Sequence, residues 1–155
     1  MVKALYVEKK PEFANRAKEL IKEFKESLQI VNLTDIRVIN RYLIEDLSDE
    51  AFLEAGETIF SEPPTDTSCT DMDFRKQQVI AVEYLPGQFD QRASSAEECL
   101  QFIAPDETPT VKSAVIYILE GELSSDELEK IKEYLINPVE SREAALGVPA
   151  TLRSK

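Results

Sequence analysis

Hydrophobic positions along the chain follow two periods, about two and about 3.6 residues, and the switches between them predict eight elements. Within Lys3–Lys9, Leu5 and Val7 alternate with more polar positions and Tyr6 suits a pleated surface, which predicts a strand. Pro11 stops it and fits the first turn of a helix. Phe13, Ala17, Leu20, Ile21, Phe24 and Leu28 fall on one helical face. Asp35–Ile44 reads as a second strand. Ser48 caps a second helix with a buried stripe of Phe52, Ala55 and Ile59, and Pro63-Pro64 ends it. The order then recurs. Val79–Tyr84 is a strand broken by Pro86-Gly87, and Ser94-Ser95-Ala96-Glu97 has the pattern of a capping box opening a helix through Ile103. Val111–Glu120 is the fourth strand. Ser124–Glu127 is a second capping box, Leu128, Ile131 and Leu135 form the stripe of the last helix, and Pro138 closes it. Glu140–Leu146 fits one more short helix. Residues 62–76 read as a mobile polar connector, and residues 147–155 as a loose tail.

The recurrence extends to residue identity. Eight of the 46 positions from 13 to 58 reappear 76 positions later, against about three expected by chance. Phe13, Arg16 and Ala17 match Phe89, Arg92 and Ala93; Thr34, Leu43, Leu47, Ser48 and Glu57 match Thr110, Leu119, Leu123, Ser124 and Glu133. Two similar β-α-β-α halves are predicted, about 2–64 and 77–140, in one body over residues 1–146. Strict alternation would suit a parallel α/β sheet. The period-two patterning of the strands favours instead an α+β, ferredoxin-like layer: a mixed sheet with helices packed on one face.

Composition narrows the chemistry. The net charge is −12, and the lysines at 18, 22 and 25 interleave with Glu19, Glu23 and Glu26, so no basic stripe suggests nucleic acid. Histidine is absent, which removes the usual neutral-pH acid/base group and the commonest metal ligand. Cys69 and Cys99 lie 30 positions apart with no partner motif and read as free cytosolic thiols. The apolar runs are too short to span a membrane, and a cytoplasmic location is expected. A carboxylate pair such as Glu83 and Glu120 is conceivable across strands, but 30 acidic residues make such pairings common by chance.

Two segments are candidate sites. In Leu85–Ala93, Gly87 permits close backbone approach, and Pro86, Gln88, Phe89, Asp90, Gln91 and Arg92 crowd a strand end and a helix start. A capped turn anchored by Phe89 is the competing explanation. Around Asn137 and Pro138, Glu140 and Arg142 follow a turn that either starts a docking segment or simply stops a helix.

Tyr6–Pro11, Phe60–Pro64, Tyr84–Ala93 and Ile136–Glu143 together resemble the amino-terminal part of the large single-chain phosphoribosylformylglycinamidine synthase family, and the likeness runs over residues 2–146. Asp35-Ile36-Arg37-Val38 and Arg41-Tyr42-Leu43 resemble a strand of the family's small PurS subunit. The resemblance implies a non-catalytic, PurS-like N-terminal domain in which two units that elsewhere form a dimer are fused. It implies glutamine- and ATP-dependent amidation of formylglycinamide ribonucleotide by the whole enzyme. It places ATP and Mg in synthetase domains absent here, and the catalytic Cys, His and Glu in an absent glutaminase domain. No cofactor is then expected in this chain, and neither Cys69 nor Cys99 inherits the nucleophile's role. The downstream synthetase and glutaminase domains are the implied partners, with self-association of the isolated chain expected and neither nucleic acid nor membrane. Pro86–Arg92 would face the synthetase cleft or the ammonia route, and Asn137–Arg142 would lead to the linker. Two rival readings remain: a stand-alone regulatory module binding a metabolite at the seam between its halves, and an acid/base enzyme using carboxylates with shifted pKa values.

Overall fold

The computed structural model describes residues 1–152. Six strands and four helices follow one another as β1 (Val2–Lys9), α1 (Asn15–Glu26), β2 (Leu33–Glu45), α2 (Asp49–Thr58), β3 (Asp66–Cys69), β4 (Gln78–Tyr84), α3 (Gln91–Ile103), β5 (Thr110–Gly121), α4 (Ser125–Leu135) and β6 (Ser141–Glu143). The strands form one sheet in the order β3-β1-β2-β5-β4-β6. The architecture is α+β and ferredoxin-like, with all four helices on one face.

Every described strand pair is antiparallel, so the expectation of a mixed sheet is corrected. A parallel neighbour would require α1 to return the chain to the start of β1. Instead β2 begins at Leu33, beyond the end where β1 finishes: Glu8 pairs with Ile39, and Val2 with Glu45.

The sheet order reads the same in either half, with β1, β2 and β3 standing where β4, β5 and β6 stand. A shift of 75 positions carries pairs onto pairs. Ala4–Leu43 becomes Val79–Ile118, and Val7–Ser68 becomes Val82–Glu143. Asn40 pairs with Val115, which lies 75 positions on, so the pseudo-twofold axis passes through that pair. The helices keep a shift of 76: Ala17, Phe24 and Ser48 correspond to Ala93, Leu100 and Ser124, each buried or capping like its counterpart. The matches Thr34/Thr110 and Leu43/Leu119 are therefore not structural equivalents. A one-residue slip in a strand reverses the face. Accordingly Leu43 lies on the helix-free face and Leu119 under the helices. The true strand equivalents include Val7/Val82 and Tyr42/Tyr117.

The strands bury both faces. Leu5, Val7, Tyr42 and Ile44 meet α2 and α3, while Ile80, Tyr117 and Leu119 meet α1 and α4. Leu20 and Phe24 of α1 are fully buried there, each worth about 1.5–3 kcal/mol. Phe13, expected on the same stripe, lies in a 3-10 turn at Pro11–Phe13 ahead of α1 and is exposed. The opposite face, with Ala4, Tyr6, Ile39, Ile116 and Ile118, carries no helix. Met72 and Phe74 pack onto it from residues 62–76, as do Ala144, Leu146 and Leu152. The predicted mobile connector thus contains β3 and part of the core, and the predicted short helix at Glu140–Leu146 is β6. The tail is not loose through residue 152; its last three residues lie outside the described range. Glu45 accepts the Thr151 hydroxyl at 2.7 Å and the Leu152 N–H at 2.5 Å, and Arg41 donates to the Ala145 carbonyl at 2.7 Å. Apolar strand faces need a cover, and without a second helical layer the loop at 72–74 and the segment 144–152 supply it.

Candidate functional site

The two predicted site segments come together at one end of the sheet. Leu85 donates its N–H to Glu140 at 2.9 Å, Tyr84 pairs with Ser141, and the Arg142 guanidinium meets Glu83 at 2.8 Å. Gly87 has φ +90, a left-handed conformation that suits glycine, in a turn closed by Gln88 N–H onto the Leu85 carbonyl at 3.0 Å. Pro86 and Gln88 are exposed, and Phe89 is 70% exposed rather than anchored. Asn137 builds the facing turn, accepting Glu140 and Ser141 N–H on its carbonyl at 2.9 and 2.8 Å. Its side-chain oxygen accepts Val139 N–H at 3.3 Å, while Pro138 is exposed.

Asp90 is structural. One of its oxygens caps α3 through Ala93 N–H at 3.0 Å and accepts the Ser113 hydroxyl at 2.7 Å, and the other accepts Ser113 N–H at 2.9 Å. This is why α3 starts at Gln91, three residues before the predicted box at Ser94.

Arg92 belongs to a different feature. A groove of about 810 Å³ lies over the central strands, between the openings of α1 and α3, and the pseudo-axis pair Asn40 and Val115 lies in its wall. Arg16 and Arg92, equivalent by repeat, both line it. Each lies near a tyrosine of the other half. Arg92 donates to the Tyr42 hydroxyl at 3.4 Å, and Arg16 lies near the Tyr117 hydroxyl. Burial pushes the Tyr117 phenol above its usual value, with the nearby Arg16 guanidinium opposing. Lys9, Lys10 and Lys18 add cations to the wall, while Glu8, Asp35 and Arg37 border it from strand positions that alternate to the helix-free face. Five cationic residues, Lys9, Lys10, Arg16, Lys18 and Arg92, therefore gather at the groove in a protein of net charge −12. Glu8 is engaged by Arg37 at 2.9 and 2.7 Å, a contact that raises the guanidinium's already high pKa. Asp35 accepts Ile36 N–H at 2.9 Å. Phe13, Ile21, Val38 and Val115 supply apolar wall. A smaller cleft of about 420 Å³ on the far side of Arg92 holds Tyr42, Phe60, Tyr84 and Cys99.

Arg16 was visible in the sequence only as a repeated identity. Its place in the same groove wall as Arg92 depends on how α1 and α3 lie on the sheet.

The proposed carboxylate pair does not form. Glu83 lies opposite Ala114 and Glu120 opposite Asp35, six positions apart along β5 and so roughly 20 Å. Burial raises the Glu97 carboxyl, with Val111 N–H opposing it, but Glu97 lines neither cleft. Cys69 and Cys99 are free and exposed. Among the described residues no cluster of three or more metal-ligating side chains occurs, and no helix is long and apolar enough to cross a membrane. No protein-family model matches the chain, and no curated protein matches it.

Proposed function

We propose that the chain is a non-catalytic PurS-like N-terminal domain of the phosphoribosylformylglycinamidine synthase family, docking on downstream synthetase and glutaminase domains that carry ATP, Mg and the catalytic residues. The observation that carries this reading is the meeting of the 85–89 and 137–140 turns through Leu85 and Glu140. Each turn exposes a large apolar side chain, Phe89 at 70% and Val139 at 76%, beside half-exposed Tyr84. Apolar groups held on tight turns next to one another suit a docking surface. The internal twofold further fits a fused pair of units where separate subunits would dimerise.

The test is complementation. The chain is mixed with a family enzyme whose N-terminal domain has been deleted, and glutamine-dependent formation of formylglycinamidine ribonucleotide is measured. Restored activity is expected, with Phe89→Ser and Val139→Ser together weakening it at least tenfold. Neither association nor restored turnover would remove the proposal.

A second reading, a regulatory module that takes a small metabolite at the seam between the halves, is favoured by the groove, in which Arg92, Val115 and Tyr117 of the second half join a wall built mainly by the first.

A further inference from the structure

The geometry points to a binding site in the seam groove for a small organic phosphate, a monophosphate on a flat, apolar body, held by Arg16 and Arg92. This deepens the seam-ligand reading and is independent of the docking turns. Three observations carry it.

The first is charge. Lys9, Lys10, Arg16, Lys18 and Arg92 gather at the groove, whereas the whole chain carries twelve more acids than bases. Lys9 is paired with Asp66 at 2.8 Å and Arg37 with Glu8, which leaves Lys10, Lys18, Arg16 and Arg92 without a carboxylate within ion-pair reach among the described residues. In an acidic protein a local excess of this size focuses anions into the cleft.

The second is donor type and placement. Arg16 and Arg92 are repeat equivalents, each on the opening turn of its helix; Arg92 is bonded to Tyr42 of the opposite half, and Arg16 lies near Tyr117. A guanidinium carries five N–H donors and the Tyr42 contact uses one of those of Arg92, so N–H groups remain for a ligand. Guanidinium forks match the geometry of phosphate oxygens, and a dianion is satisfied by two of them. A singly charged carboxylate would leave more of the cationic excess uncompensated.

The third is shape. About 810 Å³ is within the usual range for small-molecule sites. Phe13 and Pro11 in the turn ahead of α1 and Val38 and Val115 on the strands give the rest of the ligand an apolar surface.

The probe is phenyl phosphate, titrated into the ¹⁵N-labelled chain at low salt and followed by amide shift changes. Inorganic phosphate, benzoate and benzyl alcohol serve as separate arms. Phenyl phosphate is expected to move resonances at the openings of α1 and α3 and around Asn40, to bind more tightly than benzoate or inorganic phosphate, and to weaken as salt rises. Arg16→Gln and Arg92→Gln should each weaken it about tenfold, and the double variant about a hundredfold. Arg75→Gln, exposed and outside the groove, should leave it unchanged. Thermal unfolding of each variant shows whether a loss of binding reflects a loss of fold.

No shift at these positions up to about 10 mM phenyl phosphate, or undiminished binding in a folded double variant, would overturn the inference. Benzyl alcohol binding as well as phenyl phosphate would overturn the anion class while leaving a seam ligand in place. Silence of every arm would count against both.

Discussion

Replacing Asp90 by alanine separates a functional from a structural role at the residue the sequence placed in the middle of a candidate site. Its carboxylate closes three hydrogen bonds, to Ala93 N–H at 3.0 Å, Ser113 N–H at 2.9 Å and Ser113 hydroxyl at 2.7 Å. Losing a helix N-cap costs about 1 kcal/mol. Leaving the N–H of a buried strand residue without an acceptor costs about 1–3 kcal/mol more, while the Ser113 hydroxyl can turn to another partner. The expected loss is therefore about 2–4 kcal/mol, or roughly 5–12 °C in Tm for a domain of this size. Urea unfolding should show the midpoint falling with the slope unchanged. Asp90→Asn retains one acceptor oxygen and should lose about half as much. Because the two residues are in contact, the cycle with Ser113→Ala should return a coupling of about 1–2 kcal/mol. An alanine variant within about 0.5 kcal/mol of the parent would refute this account and return Asp90 to the functional candidates. The first half offers an internal contrast, since Ala14 opens α1 with no side-chain cap.

Other substitutions probe the remaining supports of the fold. Gly121→Ala would set a Cβ 2.1 Å from the Asn32 carbonyl oxygen at φ +127, so a loss of about 2–4 kcal/mol is expected in thermal unfolding, and a neutral result would contradict the backbone geometry. Asp66 is 6% exposed; burial pushes its carboxyl up, but Lys9, Glu62 N–H and Thr65 outweigh this and hold it below the ordinary range. A depressed native value gives stability that is present above about pH 4 and lost as pH falls through the native value. Parent and Asp66→Asn should thus differ at pH 6 and converge near pH 2, and parallel curves would remove the linkage. Leu152→Ala removes a buried side chain at the end of the strap over the helix-free face. It should cost about 1–3 kcal/mol by urea unfolding, at the low end of core truncations because the exposed strap before it can shift, and no change would mean that the strap contributes nothing.

Element order was legible because each half announces its periods and its caps. Ser48 and Ser124 accept Ala51 and Glu127 N–H as their sequence patterns predict. Leu20, Phe24 and Ile131 occupy the buried stripes that helical spacing assigns to them. These signals are local, so neighbours within four positions suffice to read them. The start of α3 was not legible, since Asp90 is committed to Ser113, 23 positions away, and the Ser94 pattern carries no trace of that partner. The strand register was misread for a similar reason. A slip of one residue leaves a hydrophobic run hydrophobic, and only the pairing with neighbouring strands decides which face each residue takes.

The amino-acid order alone determined two like halves, their helices and most of their core, because periodicity and capping act over one or two turns. Tertiary structure decided everything that joins distant positions: the antiparallel sheet, the strap from Ala144 to Leu152 latched on Glu45, and the cationic groove where Arg92 reaches across the axis to Tyr42 and Arg16 lies near Tyr117. Such contacts depend on where whole elements pack against one another, and residues brought together that way share no local pattern to read.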